Sequence, residues 1–154
     1  MEAPAEKQLD VFLTKYTARM EAQARACRTI TGARLPHAVE MVYDNYNALV
    51  IGYCPMEKPS EAIFSMAILP DHVSLCFLQN AGKLHDPKKL LIGMGNTARH
   101  TKLKQPADLD LPAVMALMKE AENRAVKPFD AATEPKLVIR SISVKQRPRR
   151  KDGK

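Results

Sequence analysis

The chain has 154 residues, 45% apolar and 27% charged, enough for one domain with a sizeable core. No apolar run approaches the roughly 18 residues of a membrane helix, and three cysteines (Cys27, Cys54, Cys76) without CxxC spacing exclude a disulfide scaffold. The net charge of +7 sits mostly in the tail, where Lys145, Arg147, Arg149, Arg150, Lys151 and Lys154 stand against Asp152 alone and hold +5 of it.

The opening MEAPAEKQLD is acidic and polar, whereas a signal peptide begins basic and turns apolar. A reduced, cytoplasmic setting without a membrane is therefore expected. Residues 5–28 read as one amphipathic helix, because Leu9, Phe12, Leu13, Tyr16 and Met20 follow helical spacing. Gly32 stops it. Pro36 suits the first turn of a short second helix over residues 36–41. Asn45 to Asn47 form a turn, and Ala48 to Cys54 a branched-residue strand. Ile63 to Leu69 and His72 to Gln79 make a hairpin around Pro70-Asp71. Lys88 to Ile92 read as one helical turn. Gly93 and Gly95 permit a bend, and Ala98 to Lys104 alternate as a strand.

Asp110 is a candidate N-cap with Pro112 in the first turn. Val114, Leu117, Met118, Ala121 and Ala125 mark the buried face of the helix that follows, which ends near Val126. Leu137 to Val144 form a further strand-like run. Short loops between strands predict antiparallel pairing. The expected class is α+β: an antiparallel sheet of four to five strands with N- and C-terminal helices on one face. The domain occupies residues 1–126, with an extension over 127–144 carrying the extra strand and a basic, disordered tail over 145–154.

Two segments carry a likeness to a known family. LPHAVEMVYDNYNALVIGY (Leu35 to Tyr53) resembles the lP-x-x-x-E opening of the YdhG-like family, a domain family of unknown function. LLIGMGNTARHTKL resembles that family's Leu-Leu-x-Gly-x-Gly-x-x-x-Arg-His segment. The resemblance covers roughly residues 5–126 and implies a frataxin-like fold, with an iron-chaperone role described for some relatives. That role needs clustered oxygen ligands. Here the first helix mixes Glu6, Asp10 and Glu21 with Lys7, Lys15, Arg19, Arg25 and Arg28.

Several constellations combine residue types that can carry chemistry. His72, Cys76 and Cys54 suggest soft-metal ligands, but the cysteines also read as small buried apolar residues, and no metal site is expected. Cys76 with His100 or His72 lacks a third group and an oxyanion element. No cofactor motif is present. Gly93 to Thr97 with Arg99 and His100 suggest an amide nest for an anion. Tyr43, Asn45, Tyr46, Gly95, Asn96, Arg99 and His100 are together the candidate ligand site. Lys145, Arg147, Arg149, Arg150 and Lys151 are the candidate nucleic-acid contacts.

The leading expectation is a small, soluble, non-enzymatic binding module, a monomer or homodimer, that holds a small anionic ligand or a protein partner. Nucleic-acid association through the tail and frataxin-like iron delivery are the alternatives.

Overall fold

The computed structural model describes residues 4–151. Two helices, α1 (Pro4–Thr14) and α2 (Ala18–Arg34), stand where one was expected. Thr17 makes the break: it is extended (φ −63°, ψ 158°), and its side chain accepts a hydrogen bond from Met20 N at 3.2 Å, an N-cap in mid-sequence. The predicted apolar face survives the break, with Leu9, Phe12, Leu13, Tyr16 and Met20 all buried. Gly32 does not end α2, which runs to Arg34 and closes on Leu35 N bonded to Thr31 O.

The short helix expected over residues 36–41 is a strand instead. β1 (Val39–Asp44) pairs antiparallel with β2 (Leu49–Cys54) through a hairpin at Asn45 to Asn47. Pairing wins over the Pro36 signal because it buries Val39, Met41 and Val42 at once. β3 (Phe64–Ile68) and β4 (Val73–Phe77) form the hairpin expected around Pro70-Asp71, and β5 (Arg99–Leu103) pairs with β4. Residues 88–92 form no helical turn. Asp86 accepts the Leu90 and Leu91 amides at 2.9 Å, and Ile92 bridges to His100. α3 (Pro112–Arg124) begins after Leu111 and not on an Asp110 cap, because the Asp110 carboxylate is engaged by Arg34 at 2.7 Å.

The sheet has six strands in the order β5-β4-β3-β2-β1-β6, and it is mixed where a purely antiparallel one was expected. The sixth strand, β6 (Lys136–Ile142), lies parallel to β1. Parallel neighbours need a long crossover, and α3 with the 125–135 connection provides it. Phe129 pins that connection by stacking on Phe64 at 6.5 Å, while Phe64 meets Phe77 edge-on at 5.6 Å.

All three helices share one core with one face of the sheet, including Ile51, Tyr53, Phe64, Met66, Leu75 and Phe77. The opposite face carries a smaller cluster around Val39, Met41 and Cys54. No helix among the described residues is long and apolar enough to cross a membrane.

The tail expected to be disordered is anchored within its described part, residues 145–151, through Gln146 and Arg149. Arg149 is 4% exposed and reaches Asp44 Oδ1 at 2.9 Å, while the Asn45 and Tyr46 carbonyls accept from the same guanidinium. Lys15 Nζ meets the other Asp44 oxygen at 2.7 Å, and Gln146 donates to the Asp44 carbonyl at 3.0 Å. The buried carboxylate of Asp44 supplies the physical reason. A lone charge in that position is costly, and the tail brings the cation that completes its pairing.

Candidate functional site

The residues expected to share a ligand site fall into two groups. Tyr43, Asn45 and Tyr46 belong to β1 and its hairpin, whereas Gly95, Asn96, Arg99 and His100 belong to β5 and the loop before it. Three strands lie between β1 and β5. At about 4.8 Å per step the groups stand about 19 Å apart. The structure does not bring them together.

Each group has local work. Asn45 and Tyr46 offer their carbonyls to Arg149, and Tyr43 lies on the sheet face away from the helices. Arg99 Nε donates to the Gly95 carbonyl at 2.8 Å, and the Asn96 and Thr97 carbonyls accept from Gly82 and Ala81. Gly93 takes φ +118°, a conformation that only glycine adopts without strain. These bonds tie the loop to itself and to its neighbour.

Among the expected nucleic-acid contacts, Lys145, Arg147, Arg150 and Lys151 are exposed and Arg149 is not. Cys76 and His100 are direct cross-strand partners on the open sheet face, but burial pushes the Cys76 thiol up, away from nucleophilic thiolate. Cys54 sits two strands from Cys76, and His72 pairs with Asp71 at 2.8 Å. The soft-metal grouping is therefore not assembled.

A different set of residues does converge. Glu40 of β1 stands directly opposite Tyr53 of β2, and both face the helices. Arg28 of α2 comes down onto them from above. Its Nε and Nη2 grip Glu40 at 3.0 and 2.8 Å, and its Nη1 and Nη2 grip Glu6 of α1 at 3.0 and 2.7 Å. Two forks of this kind are the strong geometry for a guanidinium and carboxylates. Burial works to lower the Arg28 pKa, but the two carboxylates outweigh it and hold the charge permanently. Arg25 next to it is paired with Asp10 at 2.8 Å and with Glu21.

Two adjoining cavities of about 350 and 370 Å³ open around this triad and share Gly32 and Glu40 as walls. The second is walled by Leu35, Pro36, Ala38, Pro135 and Leu137, with Lys136 at its rim and Tyr53 beneath. Lys136 is itself paired with Glu57. The cleft therefore lies between the helix layer and the β1–β6 end of the sheet.

Two features set it apart from ordinary packing. Tyr53 is 0% exposed, yet its hydroxyl has no hydrogen-bond partner, and a buried phenol usually has one. Burial, and then the charge of Glu40, push the phenol far above its ordinary value, and a contact with Glu40 outside ordinary hydrogen-bond geometry adds to the rise. Tyr16 shows the contrast. It is equally buried, donates to Ile68 O at 2.6 Å and accepts from Leu49 N at 3.2 Å.

The second feature is Gly32. A methyl group built there meets nothing within 4 Å, although alanine is better than glycine in a helix by about 1 kcal/mol. The empty space next to Gly32 is part of both cavities.

Sequence reading missed Arg28, Glu6 and Tyr53, because nothing in their spacing links a helix face to a strand pair. Glu40 did leave a signal, as the glutamate of the LPHAVE segment. No protein-family model, curated protein or solved structure matches this chain.

Proposed function

We propose that the protein is a binding module without catalytic chemistry, and that its ligand site is the cleft at Gly32, Glu40 and Tyr53. One observation carries this: a wholly buried tyrosine hydroxyl left unpartnered beneath a cavity walled by apolar side chains. Small-molecule sites have this composition, a mostly apolar enclosure with a few placed polar groups. The Arg28–Glu6–Glu40 forks hold those groups rigid across three elements. The likeness to the YdhG-like family belongs to the same proposal, since its lP-x-x-x-E segment carries Pro36 and Glu40 into the cleft wall.

The reading is tested by a small-molecule fragment screen followed through backbone amide shifts. Hits should perturb Gly32, Glu40 and Tyr53, and Gly32→Leu, which fills the space, should abolish them. Hits confined to the Gly93–His100 loop, or unchanged by Gly32→Leu, would place binding elsewhere.

The tail offers a second reading. Arg149 anchors it, so Lys145, Arg147, Arg150 and Lys151 are held on the surface, with Arg147 at the β1–β2 hairpin and Lys151 near Asp71 of the β3–β4 turn. Polyanion binding there would weaken steeply with salt and vanish when all four become alanine. Binding that survives the fourfold substitution sinks this reading.

A further inference from the structure

We propose that the cleft takes a small organic cation: a protonated amine on a compact apolar body. This inference rests on the cleft being the ligand site and specifies the ligand's charge.

The guanidinium of Arg28 uses four of its five N–H groups on Glu6 and Glu40, so it has little left for an incoming anion. Each carboxylate oxygen accepts a single arginine N–H and keeps a further lone pair. The triad carries two negative charges and one positive. It therefore presents net negative charge and free acceptors to the cavity, inside a chain whose overall charge is +7.

Other nearby cations do not reverse this. Arg25 is held by Asp10 and Glu21, and Lys136 by Glu57. Tyr53 stands directly opposite Glu40 on β2, wholly buried beneath the cavity. An ammonium has three donors and no acceptor. Seated on Glu40, it finds acceptors in the Glu40 and Glu6 carboxylates. The walls from Leu35, Pro36, Ala38, Pro135 and Leu137 then cover the apolar body that carries it. An anion would meet two carboxylates and a spent guanidinium.

The test uses three probes of one shape: 2-phenylethylamine, neutral 2-phenylethanol and anionic 3-phenylpropanoate. Each is titrated into the full chain while the amide signals of Gly32, Glu40 and Tyr53 are followed. The amine should bind at least about tenfold tighter than either counter-probe, as expected for a charge-assisted hydrogen bond. Glu40→Gln should remove most of that preference. Glu6→Gln, on a more exposed residue, should reduce it by a smaller factor and serves if Glu40→Gln fails to fold. If the alcohol or the carboxylate binds at Gly32, Glu40 and Tyr53 as tightly as the amine, the cation assignment is overturned and the cleft stands. If no probe moves those three signals, the cleft reading falls with it.

Discussion

Glu40 and Tyr53 face each other in register across β1 and β2, a carboxylate opposite a phenol, without a hydrogen bond of ordinary geometry between them. The row they belong to runs on through Phe64 and Phe77 to Arg99 on the far edge strand, so the polar pair stands near one end of it. Arg28 and Glu6 reach the pair from the helices. The cleft opens beside this group, at the β1–β6 end of the sheet.

The two buried tyrosines should respond differently to loss of a hydroxyl. Tyr16→Phe strands Leu49 N and Ile68 O inside the core, which costs about 1–3 kcal/mol. Tyr53→Phe strands nothing, so stability should change by less than about 0.5 kcal/mol or rise slightly. Urea unfolding of the two variants next to the parent is the check. Equal losses would mean that Tyr53 has a partner after all.

Gly32→Ala should stabilise the fold by about 0.5–1 kcal/mol, because the helix gains propensity and the methyl group meets no atom. The same methyl narrows both cavities. Higher stability with weaker amine binding is the expected combination, read from thermal unfolding and amide-shift titration. A destabilised variant would show that the space is not there.

The Asp44 pairing predicts a specific acid response. Burial alone would raise this carboxyl, but Lys15, Gln146 and Arg149 hold it below the ordinary aspartate value. A carboxyl lower in the folded than in the unfolded chain contributes stability that is complete above about pH 4 and lost as pH falls through the folded value. Arg149→Ala should therefore cost about 3 kcal/mol at neutral pH. Its stability should also fall less steeply than the parent's below about pH 4. Parallel curves for the two proteins would remove Arg149 from the pairing.

Thiol labelling tests the burial of the cysteines. Burial pushes Cys27 and Cys54 each up to about 11. Both should resist a disulfide reagent at pH 8 until the protein unfolds, because little thiolate forms. Cys76, only partly covered, should react first. Rapid labelling of all three in the native protein would contradict the packing.

Local signals explain which parts of the fold the sequence revealed. The Pro70-Asp71 hairpin, β5 and the α3 face around Val114, Leu117 and Met118 follow from turn chemistry and periodicity, and the structure has all three. The break at Thr17 was hidden because the apolar face from Leu9 to Met20 continues through it. Pro36 misled because a proline that suits a helix start also suits the approach to a strand, and pairing with β2 decided between them. The parallel placement of β6 depends on a crossover that no short-range pattern specifies.

The site was harder to see for a similar reason. Arg28, Glu40 and Tyr53 meet only when α2 folds over the β1–β2 pair, and none of them sits in a chemical motif. Gly93 to His100 drew attention by its glycines, yet Arg99 turns back onto the Gly95 carbonyl, and the Asn96 and Thr97 carbonyls are tied to the neighbouring turn. Arg149 read as one tail cation among several, although its burial against Asp44 makes it part of the fold.

The most direct measurement is a crystal structure of the protein soaked with 2-phenylethylamine. The expected result is its ammonium on Glu40, with the ring against Leu35 and Leu137 under Gly32. An empty cleft at saturating amine, or density only on the open sheet face or at the Gly93–His100 loop, would contradict it.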